Sequence, residues 1–351
     1  MYTRSHTTIA VPPGATIKEQ LEDRGMKQKE FAIRMDLSEK HVSKLINGEV
    51  QLTADVAHRL QIVLGIPAEY WNNLEALYRD DLIKIELENT LDSDKKIAKC
   101  FPYRQMAEYG WVPKTNDAKE RVANLRSYFE VVSLDILANA NLTNIVCRRL
   151  KITEQGDLAL MAWAQHIKLE ARDVQADAFN SKELKRAIST IRAMSLESPD
   201  VFLPELKEIL RKCGVILVLS PHLPGSYLQG ATFMNDNHPI IGMTTRGKDA
   251  DKFWFSLFHE LAHILLDHIK QPEEMTKQRE TEADAYAQEQ LIPNESYRAF
   301  LKKKVYTAQS IQRFAKEIGI ASGIVVGRMQ NDGILKHQEM NSLKESYDFA
   351  R

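Results

Sequence analysis

The sequence predicts a mainly α-helical chain with a small β-sheet, an α+β protein divided into segments 1–90, 91–200 and 201–351. Three observations predict it. Residues 16–65 break into four short amphipathic stretches separated by turn residues. Residues 90–200 are rich in helix formers and charge, with apolar residues at helical spacing. Two short apolar runs, Val215–Leu219 and Pro239–Met243, read as strands, the second less firmly, and both precede a strongly apolar helix.

In the first segment, Ile17 and Leu21 lead to Gly25 as a helix stop, and Phe31, Ala32 and Met35 make a second apolar stripe. Ser38 can cap a third helix carrying Val42, Leu45 and Ile46, which Gly48 ends. Thr53 caps a fourth, and Pro67 opens a further helix bearing Tyr70, Trp71, Leu74 and Leu77. Short helices joined by such turns read as a helix-turn-helix module, whose third helix would enter the major groove of double-stranded DNA. Gln28 is placed for a phosphate, Lys40 and Lys44 for phosphate or guanine, and Ser43 and Asn47 for base edges or sugar; His41 lies on the same exposed surface. Residues 16–65 carry eight Lys or Arg and eight Asp or Glu. Without a basic excess, weak non-specific binding and a modest salt dependence are expected. An interaction module that no longer contacts DNA is the competing reading.

The second segment reads as a helical spacer. The charged run 92–99 is consistent with a linker, and Phe101-Pro102-Tyr103 with Gly110-Trp111-Val112-Pro113 suggests a packed turn. Val122, Leu125, Tyr128 and Phe129 form one helical stripe, Leu158, Leu160, Met161 and Trp163 another, and Leu184, Ile188, Ile191 and Met194 a third.

The third segment carries the chemistry. His259-Glu260-Leu261-Ala262-His263 sits in an apolar helix without Gly or Pro, so two imidazoles four apart share one face beside a carboxylate. Burying such groups unpaired costs several kcal/mol, about 2–7 each, so a metal partner is expected; the bland reading is a satisfied core pair. Zn2+ with an open catalytic position needs a third protein ligand. Glu280, seventeen positions past His263, fits a second antiparallel helix. Asp284, four residues on, can accept the outer N–H of a ligand histidine. Glu282 points elsewhere, roughly 200° around the helix. A solvated acidic face is the alternative. His268 falls off the ligand face and reads as a surface histidine; Arg328 reads as an exposed structural arginine or an oxyanion donor.

Phe258–Leu266, Glu280–Ala287 and Leu291-Ile292-Pro293 resemble the ImmA/IrrE metallopeptidase family, as do Pro224-Gly225, Gly230-Ala231-Thr232, Pro239-Ile240-Ile241, Gly319-Ile320 and Ile324–Gln330. The resemblance implies a zincin-like fold, with His259, His263 and Glu280 as zinc ligands and Glu260 as general base. It also implies a protein substrate, since some members cleave a repressor in response to stress. In zincins, a strand beside the active-site helix can pair with an extended substrate. Gly25–Ala32, Leu45-Ile46-Asn47-Gly48, Leu52-Thr53 and Tyr70–Leu74 resemble HigA-type antitoxins of the Xre class, except that Lys27 stands where a capping hydroxyl is common.

With 44% hydrophobic residues, 351 positions suffice for two or three packed domains, and a net charge of −1 decides nothing about partners. No apolar run reaches transmembrane length and no signal-peptide pattern opens the chain, so a cytoplasmic protein without a membrane partner is expected. Cys100, Cys147 and Cys213 read as reduced, buried thiols. The combined expectation is a homodimeric, DNA-bound regulator whose zinc endopeptidase site cuts a partner repressor, a cognate toxin or this chain's own linker. Tyr70, Trp71, Leu74 and Leu77 offer an apolar surface for the dimer contact. The alternative is an antitoxin or repressor whose zinc site is structural or sensory.

Overall fold

The computed structural model describes residues 3–5, 7–139, 154–226, 228–235, 238–244, 249–270, 277–347 and 349. Cys147 lies outside them. Among the described residues the chain has sixteen α-helices and five short strands, the α+β class the sequence predicts. It divides into two compact units, Met1–Lys96 and Ile97–Arg351.

The first unit begins with an antiparallel ribbon of β1 (Thr3–Arg4) and β2 (Ile9–Ala10). Its helices are α1 (Pro13–Asp23), α2 (Gln28–Arg34), α3 (Glu39–Ile46), α4 (Ala54–Leu64) and the long α5 (Ala68–Ala98). Ile17, Phe31, Met35, Val42, Leu60 and Trp71 form its core. Ser38 accepts the His41 N–H at 3.1 Å and Thr53 the Val56 N–H at 3.4 Å, so α3 and α4 start where the sequence places their caps. Lys27 gives α2 no side-chain cap. Gly14 allows the close crossing of α1 and α3, because a Cβ there would stand 2.1 Å from the Ile46 carbonyl oxygen. The ribbon is fastened to α5 by the hydroxyls of Ser5, Thr7 and Thr8, which donate to Glu88 and hold its carboxyl down at about 2.

Two expectations are corrected here. The stretch 92–98 is the last part of α5 and not a linker. Its acidic and basic residues pair along the helix, as Lys95 does with Asp92 at 2.9 Å, and such composition is equally compatible with a solvated helix. Trp71 is fully buried in the core and Leu74 packs against it, leaving Tyr70 and Leu77 as the exposed members of the proposed dimer stripe.

The second unit contains α6 (Tyr103–Glu108), α7 (Ala118–Phe129), α8 (Asp135–Asn139), α9 (Glu154–Arg172), α10 (Ser181–Ala193) and α11 (Pro199–Lys212). A three-stranded sheet of β3 (Ile216–Ser220), β4 (Gly230–Asn235) and β5 (His238–Thr244) comes next, then α12 (Ala250–Leu265), α13 (Lys277–Leu291), α14 (Asn294–Lys302), α15 (Ala308–Ile318) and α16 (Ser322–Asn331). Strand order is β3-β5-β4, with β3 parallel and β4 antiparallel to the central β5. Strand β4 escaped the sequence reading, although Ala231-Thr232-Phe233 has strand character; the strand that reaches the carboxylate of α12 is this edge strand.

Apolar residues of α10, α11, the sheet and α12 through α16 share one core, in which Trp254 and Phe258 of α12 are fully buried. Trp254 donates its indole N–H to the Tyr347 hydroxyl at 2.7 Å. Gly242 is required beside α9, because a Cβ there would stand 2.7 Å from the Trp163 ring. The helical stripes of α7, α9 and α10 are largely buried as core. Cys213 is buried, whereas Cys100 is exposed, against expectation, because it sits in the turn after α5.

Candidate functional site

Helix α12 presents His259 and His263 one turn apart, and α13 lies across from them. The pairs His263 with Glu280 and His259 with Asp284 step in opposite directions along the two helices, so the helices run antiparallel. The Nε2 atoms of His259 and His263 stand 3.0 Å apart. Glu280 reaches the first with Oε2 at 3.5 Å and the second with Oε1 at 3.8 Å. One donor atom from each of the three residues lies within 4.8 Å of the others.

That donor set fits a zinc ion. Bonds of about 2.0–2.2 Å in tetrahedral geometry put neighbouring donors roughly 3.3 Å apart, close to the three separations seen. Asp284 Oδ1 sits 2.6 Å from His259 Nδ1, and an ionised carboxylate only accepts, so Nδ1 is the donor and Nε2 is the atom turned towards Glu280.

Glu260 is 2% exposed, yet it lines the same cavity of about 590 Å³ as His259, Glu280 and Asp284. Thr232 of β4 donates its hydroxyl to Glu260 Oε2 at 2.7 Å. Gly230 makes room for that carboxylate, since a Cβ there would come 3.0 Å from Glu260 Cγ. Neither Gly230 nor Thr232 was singled out as a site residue from the sequence. The run Gly230-Ala231-Thr232 could have flagged them.

Two histidine and arginine readings are corrected. His268 is buried at 4% exposure, with Nδ1 3.0 Å from His263 Nδ1 and Nε2 3.3 Å from Glu282 Oε2. Burial pulls it below the ordinary imidazole range. Asp267, in a left-handed conformation at φ 59°, turns the chain after α12 ends, so helical spacing no longer places His268. Glu282 stands outside the His259, His263 and Glu280 group and is the partner of His268. Arg328 is buried too, because α16 is enclosed on most sides; its Nε donates to Asp332 at 2.8 Å and its guanidinium lies over the Tyr297 ring.

In the first unit, α3 exposes Lys40, Lys44 and, at its carboxyl-terminal cap, Asn47, with His41 and Ser43 half-buried beside them. Gln28 is exposed at the start of α2. The surface of α3 is thus open, while Val42 and Leu45 anchor it to the core.

Fold and site define a two-part regulator: a helix-turn-helix unit and a metallopeptidase-like unit. The family model described as helix-turn-helix matches residues 17–71, and that described as the IrrE N-terminal-like domain, of a peptidase family, matches residues 214–329. An "uncharacterized HTH-type transcriptional regulator YddM" of Escherichia coli (strain K12) is 31% identical over 80 residues, 23% of this chain and 81% of that protein. The chain belongs to the helix-turn-helix family of DNA-binding regulators and joins that module to an IrrE-like domain. No helix among the described residues is long and apolar enough to cross a membrane.

Proposed function

We propose that the protein is a DNA-targeted zinc endopeptidase, which binds an operator through α3 and hydrolyses a peptide bond in a regulatory partner protein, a repressor or a cognate toxin. The observation that carries the reading is the buried Glu260 carboxylate, held by Thr232 and lining the same cavity as His259 and Glu280, the two residues on which His263 converges. A structural metal site has no need of such a base.

His259, His263 and Glu280 would hold the zinc, with Asp284 orienting His259. Zinc supplies Lewis-acid polarisation of a carbonyl and lowers the pKa of water towards neutrality. Glu260 takes a proton from the attacking water and returns it to the leaving amine, a role that contributes about a hundredfold to ten-thousandfold in rate. Thr232 keeps one carboxylate oxygen fixed and so orients the carboxylate for the proton transfer. An extended substrate can add to the outer edge of β4, the strand that carries Thr232. Arg328 lines the cavity and is the candidate for assisting oxyanion charge. DNA binding by Gln28, Lys40, His41, Ser43, Lys44 and Asn47 as a homodimer would bring the peptidase to its target gene.

A Glu260→Gln variant tests this in the cell. It should keep zinc and DNA binding and lose regulation of the target gene. A variant that retains all regulation would rule out peptidase action and leave a repressor with a structural or sensory metal site.

A further inference from the structure

The convergence of His263 on the candidate metal site depends on a residue outside the metal-binding motif. We infer that His268 and Glu282 form a relay that fixes the ring of His263, making His268 a positioning residue for the metal centre. The inference rests on the zinc reading proposed above.

Hydrogen-bond logic carries it. Glu282 Oε2 stands 3.3 Å from His268 Nε2, and a carboxylate accepts only, so that nitrogen carries its proton. With zinc held on His263 Nε2, the His263 ring proton is left on Nδ1, and His268 Nδ1, 3.0 Å away, is the atom placed to accept it. His263 Nε2 is then the atom turned towards His259 Nε2 and Glu280. The opposite assignment puts a proton on His263 Nε2 and sets two acceptors, His268 Nε2 and Glu282, against each other.

The two ligand histidines are thus oriented by different means. Asp284 meets His259 directly at 2.6 Å, while Glu282 reaches His263 through an intervening imidazole. The difference comes from position: His263 lies near the end of α12, where the turn at Asp267 brings His268 back over it. Glu280, Glu282 and Asp284 alternate along α13, and all three serve the site.

The test is zinc affinity by chelator competition in the full chain, alongside nitrogen NMR of the His263 ring. His268→Leu keeps the bulk but removes the acceptor and should weaken zinc binding about 10- to 100-fold. His268→Asn retains an oxygen near the Nδ1 position and should stay within about threefold of wild type. In the wild-type apo protein His263 should be a single Nδ1–H tautomer, and in Glu282→Ala a mixture. Should His268→Leu fail to fold, the Asn variant and Glu282→Ala decide. Wild-type zinc affinity in His268→Leu, a loss in His268→Asn as large as a relay-free site would give, or an unchanged tautomer in Glu282→Ala would overturn the relay while leaving the zinc reading intact. A wild-type chain that binds no zinc would overturn the zinc reading itself, and the relay with it.

Discussion

Thr232 of β4 donates its hydroxyl to Oε2 of Glu260 in α12 at 2.7 Å, tying the proposed base to the edge strand of the sheet. Sheet and helix are thereby coupled at the carboxylate proposed to carry the proton. A hydrogen bond to a charged group contributes about 1.5–3 kcal/mol, so Thr232→Val should lower kcat roughly tenfold to a hundredfold. Zinc content should not change, and Thr232→Ser should recover most of the rate. Steady-state kinetics with metal analysis checks this, and an unaffected kcat in the Val variant would count against the coupling.

Gly230 gives a second probe of the same wall. An alanine Cβ would meet Met243 Sδ at 2.9 Å and Glu260 Cγ at 3.0 Å. The thioether can swing aside, but the carboxylate would be displaced from its bond to Thr232. Gly230→Ala should therefore cost about 1–3 kcal/mol of stability by overpacking and reduce kcat more than KM. Thermal unfolding and kinetics together separate the two effects.

On the DNA side, Lys44 and Asn47 lie exposed at the end of α3. Lys44→Ala should weaken binding to all sequences alike and reduce the salt slope by about 1. Asn47→Ala should cost about 1–3 kcal/mol on the cognate operator and relax discrimination at one base pair. Titrations at several salt concentrations on cognate and scrambled duplexes test both. Sequence-independent loss in the Asn47 variant would assign it to the backbone instead.

His166 sets a pH dependence of stability. Its ring stacks on Trp111 at 4.1 Å, and burial pulls its pKa down to about 4 from an ordinary value near 6.5. Neutral in the folded state, it contributes stability that is fully present above pH 6.5 and lost as pH falls towards 4, because the unfolded chain takes up the proton first. The loss is of the order of 3 kcal/mol at most. His166→Phe should flatten the melting temperature between those limits, and equal acid sensitivity in both proteins would remove His166 as the cause.

Much of the candidate site was legible because helical periodicity reports it: His259, His263, Glu280 and Asp284 sit on two regular helices, where spacing fixes direction. The same periodicity misplaced His268, since α12 stops at Leu265 and the left-handed Asp267 redirects the chain beyond it. Arg328 was misread because burial belongs to the whole of α16, not to one residue type. Strand β4 was missed for a related reason: six residues with two half-buried polar members carry little signal until β5 pairs with them. In the first unit, caps and glycine stops marked α1, α3 and α4, an apolar stripe alone marked α2, and the length of α5 depended on charge pairs that also suit a linker.

The most direct measurement is mass spectrometry of a candidate partner repressor or toxin after incubation with the full chain carrying about one zinc. Wild type should yield one defined pair of fragments, dependent on zinc and abolished by a chelator, and Glu260→Gln should yield none while holding the same zinc. Cleavage by the Glu260→Gln protein at the wild-type rate would contradict the account.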